Sequence, residues 1–228
     1  MDNASFVLLL LVQHLFKRGI SLDKSKLKHL EGTTTVGLVC KDGVVFATDT
    51  RATMGYLVAS KQARKVFKIS DTIGITTAGG VADTQNLVNT LRAEASYYLM
   101  REGIPMGVRA SARIAANILH AYSIFPYIAN LLVGGTEASG QKLFFIDLDG
   151  ALTEETMIAT GSGSPVAYGV LETEFKEGMR VEEVLPIAVK AIKTAMKRDI
   201  ATGNEVMVAA ITKRGYRELS SDEIKKLA

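Results

Sequence analysis

The chain has 228 residues and a formal charge of +3, from 27 Lys and Arg against 24 Asp and Glu. That length makes one domain with a self-supporting core the default, and 47% hydrophobic residues with only four prolines is a globular composition rather than a disordered one. So even a balance, with no Lys/Arg stripe interleaved with aromatics, argues against a nucleic-acid partner. Cys40 is the only cysteine, which excludes an internal disulfide and argues against a Cys-based zinc site. It lies in an apolar run and is expected to be a buried, inert thiol. The only histidines are His14, His29 and His120, the first two in an N-terminal stretch unlike the rest. No metal cluster and no cofactor is expected, and a Ser-His-Asp site would have to use His120.

Residues 1–32 carry Lys17, Arg18, Lys24, Lys26 and Lys28 against Asp2, Asp23 and Glu31, and so hold most of the net charge. The apolar run Phe6–Val12 is far short of the roughly 20 residues that span a bilayer. Its basic residues follow it rather than precede it, the reverse of a secretory signal. A cytoplasmic location with no membrane partner is the expectation.

After Gly32 the pattern becomes strand-rich. Thr34–Cys40 and Val44–Thr50 are β-branched, apolar runs joined by Lys41-Asp42-Gly43, a hairpin signal. Further strands are predicted at Tyr56–Ser60, Val66–Ile69 and Ile73–Ala78. The period then changes: Leu87, Leu91, Ala95 and Tyr98 share one helical face, and Val108, Ala112, Ala115, Leu119 and Tyr122 another, with Pro126 as the stop. His120 beside this stripe reads as a packed or solvent-edge residue. Strands return at Leu131–Gly134, Lys142–Asp147 and Met157–Thr160. Ser164-Pro165 reads as a cap followed by a first-turn proline. The last long helix carries Val184, Ala188, Ala191 and Ala195, and Pro186 inside its start predicts an early kink or a later beginning. Val206–Thr212 is the final strand, before a polar hairpin and a charged tail. Grouped strands alternating with grouped helices argue α+β with mainly antiparallel sheets, covered outside by helix pairs.

With no usable Cys and one histidine in the main body, a hydrolase needs another nucleophile and another base. If the bond Gly32–Thr33 is cut, Thr33 carries a hydroxyl and a free α-amine, whose pKa of about 7.7–8.0 lets it accept the hydroxyl proton near neutral pH. Asp49 and Lys65 follow Thr33 by sixteen and thirty-two residues, each at a predicted strand end. Each alone would read as a solvated turn residue. Together the segments T-T-T-V-G, A-T-D-T-R-A-T, K-V-F-K-I, T-A-G-G, G-S-G-S-P-V-A-Y-G-V-L-E and R-D-I-A-T-G-N, from Thr33 onward, closely resemble a proteasome β subunit of the archaeal type. The resemblance covers essentially all of residues 33–213.

That resemblance implies the Ntn-hydrolase fold, a four-layer αββα sandwich, and a threonine endopeptidase acting on unfolded polypeptides. It implies residues 1–32 as a propeptide removed by Thr33 itself and residues 33–228 as the catalytic domain. Thr33 would be the nucleophile, Lys65 a cation beside it, Asp49 the group holding Lys65, and Gly79 the oxyanion donor through its backbone N–H. Ser162, Asp199 and Thr202 would support the amine; relatives often carry Ser at the last. Thr53 and Gly79 would pair with an extended substrate, and Ala52, Ala63, Thr77 and Val81 would line a small, mostly apolar first pocket. Gly32 would give the cleaved bond a strained turn. The implied partners are other β subunits in a heptameric ring, α subunits and an ATP-dependent unfoldase cap. Two other readings stay open: a structural β-ring subunit that is inactive or matures only beside an active sister β subunit, and a bacterial HslV-like peptidase. For the Phe6–Val12 run, packing on neighbouring subunits and no role at all are both open.

Overall fold

The computed structural model describes residues 32–122, 127 and 129–227, and of residues 81–83 the backbone alone. The expectations for the leader and for Pro126 as a helix stop lie outside these residues. The first half of the chain forms β1 (Thr35–Cys40), β2 (Gly43–Asp49), β3 (Ala52–Met54), β4 (Leu57–Ser60), β5 (Val66–Lys68) and β6 (Ile73–Gly79), then helices α1 (Val81–Glu102) and α2 (Val108–Ala121). The second half gives β7 (Ala129–Glu137), β8 (Gly140–Ile146), β9 (Leu152–Glu154), β10 (Met157–Thr160), α3 (Ser164–Glu174), α4 (Val181–Met196), β11 (Val206–Thr212), β12 (Gly215–Glu218) and α5 (Ser221–Lys226).

Two five-stranded antiparallel sheets result, ordered β10-β1-β2-β11-β12 and β5-β6-β7-β8-β9, with β3-β4 as a separate hairpin. The Cys40↔Gly43 register confirms the tight turn at Lys41-Asp42. Strands β1 and β2 are aliphatic on both faces because both are covered. One face packs on α3 and α4 through Val36, Leu38, Val45, Ala47, Val184, Ala188 and Ile192. The other meets the second sheet through Val44, Phe46, Val66, Leu132, Leu143 and Ile211. The second sheet's outer face holds α1 and α2 through Ile75, Leu91, Ala112, Leu119 and Leu131. The layers are therefore helices, sheet, sheet, helices: the αββα sandwich. Phe46 fills the space between the sheets over Gly134, where a Cβ would lie 2.9 Å from its ring.

The structure corrects several details. Strands β3 and β9, three residues each, are additional to the predicted set. Ser164 is the first helical residue of α3 rather than its cap; Gly163 stands at the cap without a side-chain bond. Helix α4 does not begin late, for Pro186 sits inside it and Val181 opens it. Its start is held from outside by Asp42, whose Oδ1 accepts the Val181 N–H at 2.9 Å, and from within by Glu183, whose Oε2 accepts the Arg180 N–H at 2.7 Å. The bond that Pro186 forgoes would go to the Glu182 carbonyl, and Glu182 is on an exposed turn. His120 lies on the surface with Nδ1 3.2 Å from the Asp149 carbonyl, away from the site described below. Cys40 is buried, and desolvation, helped by Asp42, pushes its thiol up to about 12, so it is inert at neutral pH.

Candidate active site

Strand register gathers the site. Thr35↔Thr48 sets the start of β1 beside the end of β2, so Thr34 faces Asp49. Thr35↔Thr160 brings the turn after β10, with Gly161 and Ser162, against Thr33. Val206↔Asp49 brings the segment before β11, with Asp199 and Thr202, to the same corner. Lys65, just before β5, belongs to the other sheet and reaches across the interior.

Asp49 is fully buried and accepts four hydrogen bonds. Its Oδ1 takes Lys65 Nζ at 2.8 Å and the Thr34 N–H at 3.0 Å; its Oδ2 takes the Gly203 N–H at 2.9 Å and the Arg51 N–H at 3.0 Å. A buried ion pair is tolerable only when its remaining lone pairs are satisfied, and here both carboxylate oxygens are. Burial is the main influence on Lys65 and pulls its pKa below the ordinary lysine value; Asp49 opposes that pull by charge and by hydrogen bond. The result is a fixed cation inside a nearly dry corner.

On the other side of Thr33 lies a neutral-to-acidic relay. The Thr33 N–H donates to Ser162 Oγ at 3.3 Å, and Ser162 Oγ donates to Asp199 Oδ2 at 2.5 Å. Thr202 Oγ1 donates to that same oxygen at 2.5 Å and lies 2.6 Å from Thr34 Oγ1, which must then be the donor between them. Asp199 Oδ1 accepts the Ala201 N–H at 3.2 Å. Gly161 permits this closeness: its φ is +89°, and a Cβ there would fall 2.0 Å from the Thr33 carbonyl oxygen.

In front of Thr33 is a cleft of about 580 Å³, lined among others by Gly32, Thr33, Ala52, Thr53, Ala63, Lys65, Thr77 and Gly79. The Thr33 Oγ1 donates to the Gly32 carbonyl at 2.5 Å. Gly32 has no room for a side chain, since a Cβ would stand 2.3 Å from both Ala201 Cβ and Thr53 Oγ1. In β6 the Thr77 N–H donates to the Lys65 carbonyl at 3.0 Å. The two-residue strand period turns the Gly79 N–H to that same side, beyond the end of β5 and over the cleft. Seven groups expected at the chemistry thus stand together, with Ala52, Thr53, Ala63 and Thr77 on the cleft wall. The Val81 side chain lies outside the described residues. Ser60, Gln62, Arg64, Thr84 and Gln85 also line the cleft, with Phe67.

A family model described as "Proteasome subunit" matches residues 30–211. The chain belongs to the proteasome subunit family. It is 48% identical over 205 residues to the proteasome subunit beta of Methanothermobacter thermautotrophicus, covering 90% of this chain and 96% of that one. It is 50% identical over 200 residues to that of Methanocaldococcus vulcanius, covering 87% and 90%, and 47% identical over 200 residues to that of Methanopyrus kandleri, covering 86% and 95%. The fold agrees with this membership down to the two sheets and their covering helix pairs. Among the described residues no helix is long and apolar enough to cross a membrane.

Within this proteasome-family site, sequence reasoning passed over Thr34, Arg51, Gly203 and Asn204. The signal was present, because Arg51 and Asn204 sit inside two of the quoted segments, but pairing residues over such separations takes the fold itself.

Proposed function

We propose that the chain works as the peptide-cleaving β subunit of a proteasome core particle through Thr33, released by cleavage of Gly32–Thr33. The observation that carries this reading is the position of Thr33 between a fixed cation and a carboxylate relay, its hydroxyl against the Gly32 carbonyl. The chain is a threonine endopeptidase of this family; the residue roles are our assignment.

In the precursor the Thr33 nitrogen is an amide and cannot act as a base. Oγ1 attacks the Gly32 carbonyl carbon, the Gly32–Thr33 C–N bond breaks as the ester forms, and water hydrolyses the ester, releasing residues 1–32 and a free amine. In the mature subunit that amine takes the Oγ1 proton as the oxygen attacks a substrate carbonyl. The Gly79 N–H meets the developing oxyanion and the Lys65 charge favours it. The amine hands its proton to the leaving nitrogen, and water then hydrolyses the Thr33 ester. Ser162, held by Asp199 and Thr202, orients the amine. An extended, unfolded polypeptide lies along the backbones of Thr53 and Gly79.

Assembly is with α subunits and with further β subunits in a heptameric ring, served by an ATP-dependent unfoldase cap in the cytoplasm. A purely structural ring role would leave the fully bonded Asp49–Lys65 pair without a purpose. The test is Thr33→Ala in the co-assembled particle. Peptide hydrolysis should fall to background while the subunit keeps the mass of the full chain; the unsubstituted subunit should begin at Thr33. Normal hydrolysis by the variant would overturn the reading.

A further inference from the structure

Asp199 and Thr202 hold Ser162 in place, yet they sit in a segment between α4 and β11 that is neither helix nor strand. Such a loop samples alternatives unless it is tied down. Three ties are the Gly203 N–H on Asp49, the Thr202 hydroxyl against that of Thr34, and the bonds between Glu205 and Thr50. A further tie is a side chain that the mechanism above does not use. Arg51 Nη1 donates to the Ile200 carbonyl at 2.7 Å and its Nε to Asn204 Oδ1 at 3.0 Å. A single planar group thus grips both ends of the turn Ile200–Asn204.

The turn is shaped to receive it. A Cβ on Gly203 would fall 2.3 Å from Arg51 Cζ and 2.4 Å from Nη2, so the guanidinium occupies the space a side chain would need. Asn204 is held at φ +72°, the only described non-glycine residue with positive φ. Its amide oxygen is the one that accepts from Arg51, and asparagine tolerates this region better than most residues. The Arg51 backbone N–H meanwhile lies on Asp49 Oδ2, beside that of Gly203. Arg51 therefore links the end of β2, the buried carboxylate and the turn, and it directly precedes Ala52 and Thr53 of the cleft wall.

We propose that Arg51 is a positioning residue for peptide hydrolysis: its guanidinium fixes the Ile200–Asn204 turn so that Asp199 and Thr202 hold Ser162, and through it the nitrogen of Thr33, in working geometry. The proposal rests on the reading of Thr33 as nucleophile and base. Arg51 touches no reacting atom, so its loss acts on kcat rather than on substrate affinity. Electrostatics sharpen the distinction. Burial, above all, lowers the Lys65 pKa, and the Arg51 charge adds slightly to that lowering. Removing Arg51 therefore makes the Lys65 charge easier to keep, and a loss of rate cannot come from a neutralised Lys65. Lysine is a poor substitute, because an ammonium lacks the planar fork that reaches a carbonyl and an amide oxygen together.

The experiment uses co-assembled particles, with rates normalised to subunits of mature mass. Arg51→Gln should lower kcat for a short fluorogenic peptide by about 10- to 100-fold, with KM within about twofold. Arg51→Lys should recover only part of that loss. Asn204→Ala should give a smaller fall of the same kind, and the double variant should be no slower than Arg51→Gln alone, since both break one contact. The proposal is overturned if Arg51→Gln keeps kcat within twofold of wild type, if its loss appears in KM, or if the two losses multiply. Should Arg51→Gln not assemble, Asn204→Ala decides: a lower kcat at constant KM supports the proposal and an unchanged kcat overturns it. Thr33→Ala run beside them separates the two claims, because activity there removes the nucleophile assignment and leaves the Arg51 measurements as they stand.

Discussion

The floor of the cleft and its hairpin wall are built on opposite plans. On the floor, Thr33, Thr34, Asp49 and Lys65 are buried, and each donor or acceptor of the ion pair's carboxylate is matched. The β3-β4 wall shows the reverse: Met54, Tyr56 and Leu57 are 64%, 98% and 62% exposed. Fixed charge is worth most where water is excluded and nothing must reorganise during reaction. The hairpin instead leaves these apolar side chains open to solvent. The contrast separates where this fold spends rigidity from where it leaves contact area free.

The sharpest way to break that contrast is Lys65→Ala. Loss of the cation should reduce peptide hydrolysis by about 10²–10⁴-fold. The stranded Asp49 carboxylate should cost about 3–5 kcal/mol of stability. Hydrolysis assays and denaturant unfolding check both, and a variant within tenfold of wild type would dissolve the idea of a charge-fixed floor. Next comes Gly161→Ala. With φ at +89° and the Thr33 carbonyl in the way, the backbone must move; a rate loss near 10²-fold and a stability loss of about 1–3 kcal/mol are expected. An unchanged rate would show that Thr33 tolerates displacement.

The pH profile tests the floor more gently. Because burial lowers the Lys65 pKa, activity that depends on its charge should fall along an alkaline limb centred below about 10.4, the value of an ordinary lysine. Folding responds oppositely in that window. The unfolded chain still holds the proton that the native state has released, so the Lys65 contribution to stability rises with pH there. A limb at or above the ordinary lysine value would contradict a buried cation. The smallest effect belongs to the wall: Leu57→Ser should change unfolding stability by no more than about 0.5 kcal/mol. A larger loss in the isolated subunit would mean that the hairpin is part of the core.

Much of the fold was legible because its strands and helices bury faces at their own periods. The Val44–Thr50 run and the Val108–Leu119 stripe are clear cases. What escaped had no period to show. Three residues are too few to alternate, which hid β3 and β9. The start of α4 is fixed partly by Asp42, far away in sequence, and partly by Glu183 reaching back to the Arg180 N–H. At the site, Thr33, Asp49 and Lys65 stood out only as a spaced set with a family resemblance. Arg51 looked like one more charged residue after a strand, since the turn it grips lies at the other end of the chain.

Asp49 finds its four donors on residues 34, 51, 65 and 203, which lie on segments flanking strands of both sheets and far apart in the described chain. No fragment lacking either residue 34 or residue 203 can supply them all. A subunit in which the segment before β11 had not yet docked would leave the Asp49 carboxylate one donor short, so this corner is complete only when the segments carrying residues 34 and 203 are both in place.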